Sequence, residues 1–380
     1  MSSSLSALRH IIESFPALEG LPPGVFVVGG AVRDALLGLE PIDADLTAAG
    51  VESIARDFAI RHGSRVVELG REPLIVLRVV LGDRIYDFVE MTGASIEEDL
   101  RRRDFTMNAL AAEAARQHLI DPTGGAADIE QKLVRMVSEQ NFIDDPLRIV
   151  KAVRMAVKYR FEIERETLVA MQRNAARVAD VAAERVLYEM RAVFSEDEAP
   201  RGARLMLDAG LDRIIFGRPL TEGDPERIRA AGAADADLAL ALLLKEDEVE
   251  AFAGRWKLSA SSRESILGMH RFAQGVTGDQ KSIPIALFDA GRRLSEQGVA
   301  FLRGMGDTKI ANSVSEIIQR DGERIFAIAP LLTGDEIAEA TGLAPGRELG
   351  RVKRAMVEAQ VRNEVEGRDQ ALEFVRRLSR

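Results

Sequence analysis

The sequence predicts an α+β protein with a small mixed sheet near its N-terminus and helices through the rest of the chain. Short apolar runs typical of strands occur before residue 91, whereas residues 144–194 follow helical spacing. Beyond residue 201 the pattern is that of helices separated by polar breaks. We therefore place the end of the first domain near residue 138.

The composition is that of a globular protein with more than one domain. The 380 residues are 46% hydrophobic and 29% charged, so about two to four modules are expected. Cysteine is absent, which excludes a disulfide framework, a thiol nucleophile and a cysteine zinc site. The four histidines lie far apart, so a histidine-rich metal centre finds no support in the sequence. Any metal chemistry would use carboxylates and a hard cation.

Charge and hydropathy restrict the class of protein further. The longest apolar runs are too short to span a bilayer, and the N-terminus lacks the layout of a signal peptide. We expect a soluble cytoplasmic protein. The net charge of −10 argues against a protein that coats nucleic acid, although a local basic face can still bind phosphates.

A strand, a Gly-Gly turn and a helix start follow one another early in the chain. The apolar run at residues 24–28 ends at Gly29-Gly30, and helical spacing resumes over residues 32–37. This order lets backbone N–H groups approach a phosphate, with Arg33 placed to add charge. A plain turn between two elements is the alternative.

Two acids are predicted side by side on the next strand. At residues 41–46, Ile42, Ala44 and Leu46 fall on one face, and Asp43 and Asp45 fall on the other. A solvated edge strand would explain this pattern. A magnesium site would explain it as well, because hard cations take carboxylate oxygens and two neighbouring negative charges need a cation to stay ionised together.

A helix is predicted at residues 52–62, and a β-hairpin follows it. Its strands, Leu74–Leu81 and Arg84–Glu90, are joined by a two-residue Gly-Asp turn. Asp87 lies between two aromatic residues on the second strand. It would either face the first two acids as a third carboxylate or occupy the surface of the hairpin.

A basic segment follows a predicted helix start. Ser95 and Glu98 form a capping-box pattern, and three arginines at residues 101–103 then precede Asp104 and an apolar segment that we expect to be helical. A charge run is usually a solvated helix face. The alternative is that the guanidinium groups bind phosphates and that Asp104 binds a ribose hydroxyl.

Helical spacing starts again at Asp144. Asp145 before Pro146 is the usual combination of an N-cap and a first-turn residue. Asp144 and Arg148 have the spacing of an i, i+4 ion pair. Capping alone would therefore account for this segment.

Taken together, these segments resemble the class II tRNA nucleotidyltransferase and bacterial poly(A) polymerase family, which has a DNA polymerase β-like catalytic head. The resemblance covers essentially the whole chain. Its motifs occur in the family's order at residues 28–34, 43–45, 102–109, 121–125, 144–148 and 184–185. Residues 332–335 and 345–350 also look like the tail of this family.

The resemblance implies four domains: a nucleotidyltransferase head at residues 1–138, a helical neck with the base-selecting motif at 139–200, a helical body at 201–329, and a helical, tRNA-binding tail at 330–380. The implied reaction is in-line attack of a tRNA 3′-hydroxyl on the α-phosphate of CTP or ATP, assisted by two Mg²⁺ ions.

The same resemblance assigns roles to single residues. The catalytic carboxylates would be Asp43 and Asp45, which hold the metal, and the strand pattern adds Asp87 as a candidate third carboxylate. Phosphates would be bound by Arg33 and Asn108, the ribose by Arg103 and Asp104, and the incoming base by Asp145 and Arg148. The full nucleotide-binding set would be Gly29, Gly30, Arg33, Arg103, Asp104, Asn108, Asp145, Arg148, Lys151 and Arg154.

A carboxylate and a guanidinium can together select bases. The carboxylate accepts from the exocyclic amine of cytosine or adenine, and the guanidinium donates to the adjacent ring acceptor. Uracil and guanine would present a carbonyl to the carboxylate, and a buried mismatched acceptor costs about 1–3 kcal/mol. Asp145 can take part in this pairing and still cap the helix, because it has two oxygens.

The sequence departs from the family pattern at several positions. Asp144, Lys151 and Met155 stand where Glu, Arg and Phe are usual, which leaves a base contact by Lys151 open. Only residues 88–96 separate Asp87 from the approach to the ribose motif, whereas CCA-adding members usually carry a longer flexible loop there.

Several activities therefore remain open beside complete CCA addition. The short segment resembles that of the CC-adding type. Further alternatives are A addition or poly(A) synthesis, and a nucleotidyltransferase for small molecules. A non-catalytic RNA-binding relative is another alternative, but the intact Asp43 and Asp45 argue against it. The sequence does not give the oligomeric state.

Overall fold

The computed structural model describes residues 2–71, 74–113, 118–232, 234–276 and 281–379. The chain divides into two compact units, one formed by Met1–Val193 with Arg204–Pro219 and the other by Phe194–Ala203 with Leu220–Arg380. The described strands all lie in the first unit. The predicted α+β fold, with a mixed sheet followed by helices, is confirmed.

The first unit contains nine described strands: β1 (Phe26–Val28), β2 (Asp43–Ala48), β3 (Val66–Arg71), β4 (Leu74–Leu81), β5 (Arg84–Glu90), β6 (Ala111–Glu113), β7 (His118–Ile120), β8 (Leu133–Val134) and β9 (Glu162–Ile163). The first seven form one sheet in the order β3-β4-β5-β2-β1-β6-β7, and β8 pairs with β9. In the large sheet β2 and β5 are parallel, and the other neighbouring strands are antiparallel.

Helices alternate with these strands along the chain and continue beyond the sheet. In the first unit they are α1 (Ser2–Ser14), α2 (Gly30–Leu36), α3 (Val51–Arg61), α4 (Ile96–Arg101), α5 (Gly125–Glu130), α6 (Gln140–Asp144), α7 (Leu147–Tyr159), α8 (Arg165–Asn174) and α9 (Ala183–Phe194). Two further helices follow: α10 (Ala199–Asp208) has residues in both units, and α11 (Asp212–Phe216) belongs to the first.

Helix α3 covers one face of the large sheet. The Phe58 ring lies 5.1 Å from the ring of Tyr86 and 5.2 Å from that of Phe88, measured between centroids. Ala44 and Leu46 of β2 are buried on the same face. Because side chains alternate along a strand, the residues between these positions point to the opposite face.

Most of the elements predicted in the first 113 residues are confirmed, but two expectations are wrong. Ile42 precedes β2 and is 71% exposed, so it does not share the buried face with Ala44. The apolar segment after Asp104 forms a 3₁₀ turn at Thr106–Asn108 and then β6. Pairing of β6 with β1 overrides the helix propensity of its alanines.

The second unit is helical throughout its described residues. Its helices are α12 (Gly223–Ala231), α13 (Ala236–Leu243), α14 (Val249–Trp256), α15 (Ala260–Gly275), α16 (Ser282–Gly304), α17 (Thr308–Phe326), α18 (Gly334–Thr341), α19 (Arg347–Val361) and α20 (Arg368–Leu378). One apolar cluster includes Leu287 and Val314, and a second includes Ile337 and Met356. None of the described helices has the length and apolar character needed to cross a bilayer.

Candidate active site

Three carboxylates lie together on the face of the sheet opposite α3. Asp45 on β2 is in register with Asp87 on the parallel neighbour β5. Asp43 lies two residues before Asp45 and therefore on the same face, and both side chains are exposed. The alternation predicted from the sequence is observed here, and the strand order brings Asp87 beside the first pair.

Asp45 has an unusual electrostatic environment. Its side chain has open surface, but the carboxyl lies in a concave region crowded by protein atoms, and this desolvation raises its pKa. The Arg103 guanidinium opposes the rise, whereas the negative charges of Asp87 and Asp43 reinforce it. Within the described part of the chain, neither Asp43 nor Asp45 forms an ion pair. Adjacent carboxylates without a basic partner are a donor set that fits a hard divalent cation.

Asp87 differs from the other two acids because it already has a partner. Nε and Nη2 of Arg78 donate to its two carboxylate oxygens at 2.8 and 2.7 Å. Among the described residues, no group of three or more histidine, aspartate and glutamate side chains is arranged to hold a metal ion. The pair formed by Asp43 and Asp45 is therefore the set that could hold a metal, with Asp87 engaged by Arg78.

The Gly-Gly turn allows a close approach at the edge of the site. Gly29 has φ +68°, a conformation that side chains rarely adopt. A Cβ at this position would lie 2.9 Å from Nη1 of Arg103. Gly29 therefore lets the guanidinium of the ribose motif pack against the start of α2, where Gly30 is the first helical residue.

Arg33 is buried and joins three segments of the first unit. Its Nη1 donates to Oδ1 of Asn108 at 2.6 Å, and its Nε donates to Oδ1 of Asp34 at 2.8 Å. The guanidinium carbon lies 4.4 Å above the ring of Tyr159, whose hydroxyl donates to the same Asp34 oxygen at 3.1 Å. Burial raises the pKa of Tyr159 well above its usual range. Arg33 is thus held in one orientation at the pocket wall.

Asp104 is buried and paired with a residue of α7. Nζ of Lys151 lies 2.5 Å from Oδ2, and Oδ1 accepts from Nδ2 of Asn108 at 2.9 Å and from the Phe105 amide at 2.8 Å. Burial alone would raise the pKa of Asp104, but the Lys151 charge and these hydrogen bonds outweigh it and lower the pKa to about 2. The adjacent Arg103 is held by Asp99 at 3.0 Å.

Asp145 uses its two oxygens in different ways. Oδ1 accepts from the Leu147 amide at 3.4 Å at the start of α7, and Oδ2 accepts from Nη2 of Arg185 at 3.0 Å. The predicted N-cap is displaced by one residue, because α7 begins at Leu147 with Pro146 at its N-cap position, and Asp145 reaches the first helical amide from the residue before it. The second oxygen faces a cation from α9.

The predicted ion pair between Asp144 and Arg148 is wrong. Asp144 accepts from Nε2 of Gln140 at 2.8 Å, whereas Nη1 of Arg148 donates to the Arg102 carbonyl at 2.9 Å. The i, i+4 spacing does not produce a pair because Asp144 ends α6 and Arg148 belongs to α7. Arg148 is thereby directed to the ribose motif.

Two residues of α9 belong to the site although sequence reasoning did not place them there. Arg185 pairs with Asp145, and Glu189 lies 2.6 Å from Nε of Arg154. Burial raises the pKa of Glu189, against the influence of Arg154. A signal was available for both residues. Glu184-Arg185 was recognised as a motif, and a residue four positions after Arg185 lies on the same helix face, which would have placed Glu189 beside it.

These side chains surround one cavity of about 510 Å³, a size suited to a small ligand. All ten residues predicted to bind nucleotide line it, together with Asp45, while Asp43 and Asp87 do not. The complete lining is Gly29, Gly30, Arg33, Asp45, Arg103, Asp104, Asn108, Asp145, Leu147, Arg148, Lys151, Arg154, Met155, Lys158, Tyr159, Arg185 and Glu189.

The connector at residues 121–125 leads into α5, which packs against the turn of the ribose motif. The Asp121 carboxylate accepts from the amides of Gly125 and Ala126 at 2.8 and 3.0 Å, which caps α5. A Cβ on Gly125 would lie 2.0 Å from the Thr106 carbonyl oxygen. Glycine is therefore required for α5 to pack against the turn that carries Asn108.

Comparison with sequence families agrees with this geometry. The profile of the Poly A polymerase head domain matches residues 25–92 and 77–135. A second profile, described as the probable RNA and SrmB-binding site of polymerase A, matches residues 160–223. The first profile covers the strands of the large sheet, and the second covers helices α8 to α11.

Comparison with solved structures supports the fold. The Bacillus stearothermophilus CCA-adding enzyme in complex with CTP superposes with a TM-score of 0.78, at 24% identity and over 98% of both chains. The Thermotoga maritima CCA-adding enzyme complexed with tRNA superposes with a TM-score of 0.73, at 20% identity, over 98% of this chain and 93% of that one.

Three curated relatives carry related names. A CC-adding tRNA nucleotidyltransferase of Synechocystis is 38% identical over 56% of this chain, which spans 50% of that relative's length. A CC-adding enzyme of Geobacter sulfurreducens is 31% identical over 93% of this chain and 91% of its own length. An A-adding enzyme of Deinococcus radiodurans is 30% identical over 95% and 97%. The chain therefore belongs to the class II tRNA nucleotidyltransferase and poly(A) polymerase family.

Proposed function

We propose that this protein adds C and A residues to the 3′ end of tRNA from CTP and ATP without a nucleic acid template. The observation that carries the proposal is the single cavity that joins Asp45 to Asp104, Asp145 and Arg148. Residues suited to a metal, a ribose and a base edge thus line one space of nucleotide size. The tRNA and the nucleoside triphosphates would be met in the cytoplasm.

Family membership implies a divalent metal ion, and we propose that Asp43 and Asp45 hold Mg²⁺. When bound, the metal would supply positive charge to the reacting phosphate and activate the attacking hydroxyl. Asp87 would lie on the side of the 3′-hydroxyl, since it is next to Asp45 in the sheet. Arg33 and Asn108, held by their mutual hydrogen bond, would orient the phosphates.

The base would be selected at the start of α7. Asp145 would accept from the exocyclic amine of C or A, and Arg148 would donate to the neighbouring ring nitrogen. Arg148 gives one N–H to the Arg102 carbonyl, so other donors of the same guanidinium remain for the base. Arg185 would orient Asp145 through the ion pair at 3.0 Å.

Lys151 would have a supporting role. Its ammonium pairs with Asp104, so the structure favours a role in keeping that carboxylate ionised as an acceptor for a ribose hydroxyl. We further propose that residues 1–138 act as the head, 139–200 as the neck, 201–329 as the body and 330–380 as a tail that binds tRNA.

The test uses a tRNA transcript that lacks its last three nucleotides. The purified protein is incubated with Mg²⁺ and CTP alone, ATP alone or both, and the 3′ ends of the products are sequenced. We expect C addition with CTP and completion by A only when both are present. Asp43→Ala should abolish extension and weaken Mn²⁺ binding measured by electron paramagnetic resonance, whereas Asp57→Ala, an exposed acid on α3, should change neither.

Failure of the wild-type protein to extend this tRNA, or equal activity of Asp43→Ala and wild type, would contradict the proposal. The same sequencing experiment separates it from the non-catalytic alternative, because that protein would bind the transcript without changing its end.

CC addition alone is a second candidate that a specific observation favours. A two-residue turn precedes strand β5, and residues 91–95 follow it. In this second segment the Thr92 amide donates to Asp99 at 3.0 Å and the Ala94 amide donates to Glu98 at 2.8 Å. Residues 74–101, all of them described, thus contain no long flexible loop. Products that end in CC even with ATP present would establish this activity.

A further inference from the structure

An open apolar face adjoins the carboxylates on the side of the sheet opposite α3. It consists of Val67 and Leu69 on β3 and Val76 and Val80 on β4, with Arg78 in the middle. Register places Val67 beside Arg78 and Leu69 beside Val76, and Arg78 is itself beside Asp87. Since directly paired residues share a face, this apolar surface is continuous with the carboxylate site.

The side chains of this face are exposed to a degree that is unusual for a sheet. Val67, Leu69 and Val80 are 41%, 37% and 46% exposed, while on the other side of the same sheet Phe58 of α3 packs against Phe88 of the neighbouring strand β5. A contiguous apolar surface beside polar groups is typical of a contact site. Part of this surface lies on the edge strand β3. An exposed apolar edge strand can pair with another chain, and proteins normally prevent such self-association.

The geometry of the reaction indicates which molecule covers this face, if the proposed function holds. The lining of the nucleotide cavity comes from the β1–α2 turn, β2 and segments that follow β5, and includes Asp45. In an in-line displacement the attacking oxygen enters opposite the leaving group. With the triphosphate on the cavity side of Asp45, the attacking hydroxyl enters from the side of β5 and β4, where Asp87 and the open apolar face lie.

The chemistry of the face suits the end of a single RNA strand. The faces of unpaired bases are apolar, and packing them against valine and leucine side chains removes apolar surface from water, which is favourable by about 25 cal/mol per Å². Arg78 uses Nε and Nη2 for Asp87, which leaves Nη1 directed away from that ion pair for a phosphate oxygen. We propose that the open apolar face binds the 3′-terminal nucleotide of the acceptor RNA, and that Arg78 contacts its phosphate.

Replacing Val67, Leu69 and Val80 together by Thr tests the proposal. Threonine keeps a high strand propensity, and all three positions are exposed, so the fold is retained. We expect the KM for the shortened tRNA to rise about tenfold, which corresponds to about 1.4 kcal/mol, with the KM for CTP unchanged. The matched control is Ile60→Thr, because Ile60 on α3 is 76% exposed and lies away from this face.

A second measurement does not depend on catalysis. A shortened tRNA that carries 4-thiouridine as its last nucleotide is photo-crosslinked to the protein, and the modified peptide is mapped. We expect crosslinks within residues 66–81, reduced in the triple variant and unchanged in Ile60→Thr.

Crosslinks confined to other segments, together with an unchanged KM for tRNA in the triple variant, would overturn the proposal while leaving the proposed function intact. A dimeric wild type that becomes monomeric on triple substitution with an unchanged KM would overturn it too, because the face would then join two copies of the chain. Absence of any extension by wild type would instead refute the proposed function, and the crosslink would still report where the RNA end binds.

Discussion

Replacing Lys151 by Met tests whether the buried ion pair with Asp104 stabilises the fold of the first unit. Lys151 lies on α7, and Asp104 lies between α4 and the turn that carries Asn108. The substitution keeps the length of the side chain and removes its charge. The Asp104 carboxylate is then left buried with hydrogen bonds from Asn108 and Phe105 alone.

The magnitude follows from the pKa of Asp104, which falls from 3.8 to about 2. At about 1.36 kcal/mol for each pH unit, this difference corresponds to about 2 kcal/mol. Loss of one partner of a buried pair usually costs about 3–5 kcal/mol, and Lys151 is 33% exposed. We therefore expect Lys151→Met to lower the free energy of unfolding by about 2–3 kcal/mol at pH 7.

The pH dependence has a definite sign. Because the folded-state pKa of Asp104 is lowered, its contribution to stability is fully present above the unfolded pKa of about 4 and is lost as the pH falls through about 2. In Lys151→Met, burial favours the protonated carboxyl instead. The difference in unfolding free energy between the two proteins should therefore shrink as the pH is lowered from 5 to 2.

The unfolding assay has to follow the first structural unit, which contains Lys151 and Asp104. The single tryptophan, Trp256, lies in α14 of the second unit, so its fluorescence would not follow unfolding of the first. Hydrogen exchange of amides at residues 99–110 in increasing urea provides a local measurement. A change below about 0.5 kcal/mol at pH 7, equal to that of Lys132→Met at an exposed site, would refute the reasoning.

Three further predictions follow from other contacts. Gly125→Ala places a Cβ 2.0 Å from the Thr106 carbonyl oxygen, so we expect a loss of about 2–3 kcal/mol by the same exchange measurement, and near-wild-type exchange would contradict this packing. Arg354→Met breaks an exposed pair with Asp289, so thermal unfolding should show a loss below about 1 kcal/mol, and a larger loss would mean that the pair is coupled to the core. Asp145→Asn adds an amide donor, so the ratio of kcat/KM for CTP to that for UTP should fall, and an unchanged ratio would exclude Asp145 from base selection.

The carboxylate strands were predictable because their information is local. A period of two residues is enough to place Asp43 and Asp45 on one face of β2 and to orient Asp87 on β5. The short Gly-Asp turn likewise determines the hairpin of β4 and β5. The parallel pairing of β2 with β5, which sets Asp45 beside Asp87, depends on strand order and could only be assumed.

The contacts that hold the pocket together were not predictable from local pattern. Lys151 and Asp104 are 47 positions apart in sequence, and Arg78 meets Asp87 because of hairpin register rather than helical spacing. β6 was missed because alanines favour a helix in isolation and become a strand through pairing with β1. The ion pair expected between Asp144 and Arg148 failed for a related reason, since a break between helices separates them.

The charges of the pocket are largely compensated within the protein itself. The basic residues pair with acids as follows: Arg33 with Asp34, Arg103 with Asp99, Lys151 with Asp104, Arg154 with Glu189 and Arg185 with Asp145. Such pairs fix the direction of each guanidinium or ammonium group but add little net positive charge. In a chain with a net charge of −10, a triphosphate is therefore not attracted by the pocket's overall charge. Its binding energy has to come from oriented donors, from Arg148 and Lys158, and from the metal ion that we propose at Asp43 and Asp45, so nucleotide affinity should depend on the divalent cation more strongly than on ionic strength.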